Sequence, residues 1–251
     1  MTRGIGFRQT VIESFELAKA SLGPSFLLAG PVALAGFGLL LLPLGVPVLY
    51  APALYGYLAL LMLTTLAAAI VPQAMASGVA APSHAIKLVT VRAFWVYLGS
   101  SFACFIIPLL AAAVPASFAI SDPSLLVGGD PEALAWLALS IAIWTWLTLR
   151  LSLVLPAIAA GEPFSLRRSW RLTRGNTAAI GVCLLLAVVP VSLLQHAMVE
   201  TVVASAEDST TVAAIGVALG LAMTIVQAVA YGTVTGVAFK RAAGGIQVGA
   251  S

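Results

Sequence analysis

RLSLVLPAIAAGEPFSLRRSWRLTRGN, from Arg150 to Asn176, holds five of the twelve Lys and Arg residues of a 251-residue chain. On either side of it charges almost vanish. The chain is 61% hydrophobic and 8% charged, whereas an ordinary soluble domain carries about 25% charged residues. That balance reads as a chain whose solvent is a bilayer, with this stretch as its main polar surface.

A helix needs about 20 apolar residues to cross the hydrocarbon core, so the intervals between charges count the spans. Ala20 to Ile86 contain no Asp, Glu, Lys or Arg, and hold two spans joined by a turn near Tyr50 to Leu54. Ala93 to Ser121, Ala133 to Leu149, Gly175 to Val199 and Ser209 to Phe239 each fit one, the second continuing past Arg150. The expected spans are about 25–49, 54–76, 94–120, 134–155, 178–199 and 212–239. Only helices and closed barrels satisfy every backbone group in lipid, and these Leu- and Ala-rich runs lack the alternation of barrel strands. The expected fold is therefore all-α, a single polytopic membrane bundle of six transmembrane helices.

Six spans place all twelve Lys and Arg on one side, and Asp122, Asp130, Glu132, Glu200, Glu207 and Asp208 on the other. The positive-inside rule makes the basic side cytoplasmic, with both termini there. Arg3 and Arg8 ahead of an apolar run raise the question of a cleaved signal. The run is too long for one, and Glu13, Glu16 and Lys19 make the lead-in a polar helix.

That lead-in places Phe7, Val11, Phe15, Ala18 and Leu22 at helical spacing, with Gln9, Glu13 and Glu16 opposite. It is expected to be an interfacial amphipathic helix over 7–22, turned into span one by Gly23-Pro24. Pro31, Pro43 and Pro47 are expected to kink or break span one. Gly232-x-x-x-Gly236 in span six permits close helix approach, within the bundle rather than between copies. Ser14-Phe15-x-Leu17-x-Lys19 recurs as Ser169-Trp170-x-Leu172-x-Arg174, which suggests a threefold repeat of interfacial helix plus membrane hairpin.

Within Arg150 to Asn176, Pro163 suits a first helical position and Gly175-Asn176 a stop, so 163–174 reads as a helix. Arg167, Arg168, Arg171 and Arg174 fall on one side of it, and Leu166, Ser169, Trp170 and Thr173 on the other. Such a basic amphipathic helix can attract anionic lipid headgroups or simply fix the cytoplasmic side. Arg150 is the one charge at helical depth, with Glu162 the nearest acid in sequence on its side. Gln195, His196 and Gln227 could line an outward-facing polar pocket. His84 and His196 fall on opposite sides of the membrane, and Cys104 and Cys183 lack metal-ligand spacing, so no metal or cofactor is expected. No nucleophile elbow, paired intramembrane carboxylates or phosphate-cradling loop appears, and the chain reads as a non-enzyme without nucleic-acid partners.

Arg150 through Pro156 and Glu162 to Arg168-Ser169-Trp170-x-Leu172-Thr173-x-Gly175-Asn176 resembles the signature of a bacterial six-span membrane family. That family includes the membrane domain attached to some glycerophosphodiester phosphodiesterases, and stand-alone YciC-like proteins. The resemblance implies a membrane module, lipid-associated, and carries over no catalytic residue. The leading expectation is a protein that contacts anionic lipid or a partner subunit through Phe7, Phe15, Arg167, Arg168, Trp170, Arg171 and Arg174. The alternatives are a small-molecule or lipid transporter, which requires a cavity between spans, and a structural subunit of a larger membrane complex.

Overall fold

The computed structural model describes residues 6–41, 50–78, 92–120, 130–163, 165–205 and 210–247. These form eight helices and, among the described residues, no strand: α1 Phe7–Leu41, α2 Tyr50–Ala76, α3 Arg92–Ile120, α4 Pro131–Leu151, α5 Val154–Ala159, α6 Leu166–Thr173, α7 Thr177–Ser205 and α8 Thr210–Gln247. With α4 and α5 taken as one crossing, six segments are long and apolar enough to span a membrane. The fold is an all-α polytopic bundle.

Three sequence-adjacent pairs, α1 with α2, α3 with α4, and α7 with α8, pack as hairpins. The α2 and α8 helices pack directly on each other at the centre, while α2 and α3 barely meet. The α3–α4 hairpin is tied to the remainder chiefly through the short α5, which touches α3, α2 and α8. Large apolar side chains point outward along the spans, among them Phe102, Leu110, Leu185 and Leu193. In water such a belt would be a liability, but in hydrocarbon it costs nothing.

With lipid as apolar as any core, helices associate through close approach and hydrogen bonds, and the α2–α8 seam shows both. A Cβ built on Gly232 would lie 2.6 Å from the Ala69 carbonyl oxygen and 2.7 Å from Pro72 Cγ. At Gly236 it would lie 2.9 Å from Ala76 Cβ. The Gly-x-x-x-Gly spacing is thus consumed inside the bundle. Pro72 deprives the Ala68 carbonyl of its usual backbone donor, and Ser25 Oγ of α1 donates to that carbonyl at 3.1 Å. A third contact closes the centre: Tyr97 Oη donates to Gln73 Oε1 at 2.9 Å, and Gln73 Nε2 donates to Thr235 Oγ1 at 3.0 Å. Gln73, Tyr97 and Thr235 are fully buried.

The largest departure from the sequence reading is α1. Gly23-Pro24 does not turn the chain, and the helix runs unbroken through Pro24 and Pro31. Each proline costs one backbone bond, a loss that packing on α2 and α8 offsets. Pro43 and Pro47 lie outside the described residues. In the first half of α1 the inward face is also not the most apolar one, although Leu28, Ala29 and Ala33 join the core further on. Thr10, Ser14, Ser21 and Ser25 face inward, whereas Phe7 and Phe15 are exposed. Small polar residues let the backbones approach, and the phenylalanines are left on the outside of the bundle.

At 35 residues α1 is about 52 Å long, and α8 at 38 residues about 57 Å, both well beyond a hydrocarbon core of about 30 Å. The excess of each lies at the basic end, where the two helices run together. Arg241 Nη2 pairs with Glu13 Oε1 at 2.8 Å and Nη1 donates to Gln9 Oε1 at 3.1 Å. Because Glu13 is half exposed, Arg241→Ala is expected to cost under about 1 kcal/mol in thermal or denaturant unfolding.

The helix expected over 163–174 begins later, at Leu166. Ser165, not Pro163, supplies the start: its hydroxyl accepts from the Arg168 amide at 3.2 Å. The stop is as expected, with Gly175 at φ +84° and the Asn176 amide bonded to the Thr173 carbonyl at 3.0 Å. The helix-plus-hairpin repeat is only partly visible. Three hairpins are present, but the first helix is merged with its span, and the segment 79–91 ahead of the second hairpin lies outside the described residues.

Candidate functional site

The site forms where Pro156 disturbs the fourth crossing. A proline there cannot donate to the Ser152 carbonyl and crowds the preceding turn, so α4 ends at Leu151 and α5 restarts at Val154. Ser152 Oγ donates to the Leu149 carbonyl at 2.7 Å, which stabilises the bend. The α5 helix closes with a Schellman pattern around Gly161, φ +83°: Glu162 N–H bonds Ala157 O and Gly161 N–H bonds Ile158 O, each at 2.9 Å. The chain then reverses, and α6 lies back against the end of α4.

Two interactions hold α6 there. Ser169 Oγ donates to the Arg150 carbonyl at 2.7 Å, and Leu172 packs in a cluster with Leu153, Ile180 and Phe239. Ser169, Leu172 and Thr173 form its buried face. The sequence reading puts Trp170 on the side opposite the arginines. It lies instead among the arginines, because residues 167, 170, 171 and 174 fall within about one third of a turn at 3.6 residues per turn. Arg167, Trp170, Arg171 and Arg174 are all exposed.

Arg150 packs against two indoles. Its guanidinium carbon is 5.1 Å from the Trp170 ring centre and 5.6 Å from that of Trp146, and those rings meet edge-to-face at 5.0 Å. Both distances are within cation–π range. Its Nε and Nη1 are buried without an acceptor among the described residues, so the ring faces carry much of the compensation. Glu162, the nearest acid to Arg150 in sequence, does not pair with it. Glu162 Oε1 instead binds Arg168 Nη2 at 2.8 Å, since the Schellman turn aims Glu162 along α6. That pair neutralises Arg168 and leaves Arg167, Arg171 and Arg174 with no ion pair among the described residues.

Phe7 and Phe15 lie on the exposed side of α1, with Lys19 Nζ 4.4 Å over the Phe15 ring. The amides of Gln195 and Gln227 bond across the α7–α8 interface. Gln195 Nε2 donates to Gly220 O at 3.2 Å and Thr224 Oγ1 at 3.3 Å, and Gln227 Nε2 donates to Ser192 Oγ at 2.8 Å. Both amides are thereby used to clamp α7 to α8. His196 points outward and, among the described residues, meets Glu200 at 3.1 Å. Gln195→Leu is expected to lower stability by about 0.6 kcal/mol, the average for such bonds between membrane helices, without altering ligand binding. Thermal melts with and without lipid check both halves of that statement.

The sequence reading missed the Trp146–Arg150–Trp170 stack. Its only trace was the i,i+4 spacing of Trp146 and Arg150, which needs α6 folded back to acquire meaning. Comparison with protein-family models, with curated proteins and with solved structures finds no match for this chain.

Proposed function

We propose that this chain is a non-catalytic, multi-pass protein of a bacterial inner membrane that binds anionic phospholipid headgroups through α6, with its basic end and both termini cytoplasmic. The observation that carries the reading is one face of α6, where three exposed arginines, without an ion pair among the described residues, surround Trp170. That face adjoins lipid, because Trp170 stacks on Trp146, an exposed side chain of the fourth crossing. Indoles favour the headgroup level of a bilayer, and guanidinium groups bind phosphate in bidentate fashion. The orientation is supported by the sequence, in which six spans put all twelve basic residues on one side.

A basic residue near an anionic surface contributes about 1 kcal/mol. Arg167→Ala, Arg171→Ala and Arg174→Ala together are therefore expected to weaken phosphatidylglycerol binding about 100-fold, since 1.4 kcal/mol is tenfold. Titration of the purified protein with phosphatidylglycerol and with phosphatidylcholine, read by native mass spectrometry, measures this. Equal affinities for the two lipids in the wild type, or no loss in the triple variant, would overturn the reading.

A further inference from the structure

The loose attachment of the α3–α4 hairpin leaves a cavity of about 440 Å³ between it and α2, closed at the basic end by Leu155 of α5 and at the back by Tyr231 of α8. This volume is in the range of small-molecule sites, roughly 300 to 1,000 Å³. Leu58, Leu61 and Met62 form one wall, Cys104 and Phe105 the other. Leu58, Phe105 and Trp144 at its margin are exposed, so it opens sideways to the hydrocarbon.

One polar group in it is unaccounted for. Helical Ser and Thr hydroxyls here normally donate back one turn, as Thr64, Thr65, Ser100 and Ser101 do to the carbonyls of residues 60, 61, 96 and 97. Thr148, on the cavity wall, does not: its Oγ1 is buried with no partner among the described residues. A hydroxyl left unbonded in an apolar setting costs free energy that an incoming acceptor recovers. Thr148 is two residues from Arg150, about 3 Å along the helix and on the opposite face of α4. If Arg150 marks the depth of lipid phosphates, Thr148 lies at that of the ester carbonyls just beneath. From Leu66 to Leu58 the α2 wall then runs about 12 Å toward the bilayer centre.

We infer that this cavity holds one acyl chain of a bilayer phospholipid, entering sideways, with its ester carbonyl accepting from Thr148 Oγ1 and its tail between Met62 and Phe105. This site is separate from the arginine face and does not require an anionic head. The probe is accordingly zwitterionic, a phosphatidylcholine carrying a diazirine within one acyl chain, applied to the full chain in nanodiscs. Photolabelling is expected to concentrate at least fivefold in peptides covering 58–66 and 101–105, relative to the lipid-facing Leu185–Leu194 segment of α7. Leu61→Trp, which fills the cavity, is expected to abolish that enrichment, and Thr148→Val to reduce it.

A second measurement on the unaltered chain guards against misfolding of the tryptophan variant. An uncharged maleimide is expected to label Cys104 several-fold faster after delipidation, and to slow again when phosphatidylcholine is restored. Labelling spread evenly over the lipid-facing helices, or Cys104 reactivity indifferent to lipid, would overturn the inference. Labelling by a diazirine isoprenoid alcohol but not by the phospholipid would overturn the assignment of an acyl chain.

Discussion

Replacing Gly232 by leucine is expected to abolish recovery of monodisperse protein, while the same change at Gly30 leaves it intact. The reason is distance. At Gly232 even a Cβ meets Ala69 O at 2.6 Å and Pro72 Cγ at 2.7 Å, and neither a backbone carbonyl nor a proline ring can swing aside. The α8 helix must then move off α2, which separates the pair at the centre of the bundle. Overpacking costs about 1–3 kcal/mol where a core can adjust and more where backbone blocks it. Gly232→Ala should fall within that range, and Gly232→Leu beyond it. A Cβ added at Gly30 would meet nothing within 4 Å, so Gly30→Ala should raise stability by about 0.5–1 kcal/mol through helix propensity alone. Size-exclusion profiles and thermal melts in detergent give both results.

Gln73→Ala is expected to be the next most damaging change, by about 2–4 kcal/mol, because it opens a void and strands the buried Tyr97 hydroxyl, whereas Thr235 keeps its bond to the Tyr231 carbonyl. Gln73→Leu, which preserves most of the volume, should cost less. Adding Tyr97→Phe to it should recover much of the remainder, since exchanging both partners for apolar groups leaves nothing unbonded. A double-mutant cycle by thermal melting checks the sign: additive losses would show that Tyr97 and Gln73 act independently.

These sites differ in how far the sequence revealed them. Gly232 and Gly236 announced a close contact by spacing alone, and the charge-free intervals predicted the number of membrane-length helices, six. The helix stop at Gly175-Asn176 was equally plain, because a left-handed residue is a local requirement. Non-local compensation was hidden. Pro72 reads as a helix breaker until Ser25, in another helix, supplies the donor for Ala68. Gly23-Pro24 reads as a turn until α8 lies alongside, with Arg241 reaching Gln9 and Glu13. Trp170 was placed on the wrong side of α6 because its amphipathicity was judged by residue type. The inward face is in fact Ser169, Leu172 and Thr173, chosen by fit against α4 and α8. The same inversion governs α1, where serines face in and phenylalanines out, as suits helices packed in lipid. The cavity beside α2 has no sequence signature at all, since it is a gap between hairpins.

Whether the arginine face of α6 holds anionic lipid is tested most directly by the lipids that leave the membrane with the protein. After extraction in mild detergent, phosphatidylglycerol and other anionic species bound to the wild type should exceed their share of the source membrane several-fold. The Arg167, Arg171 and Arg174 triple variant should lose that excess. Bound lipid of the same composition as the bulk membrane, in wild type and variant alike, would contradict the account.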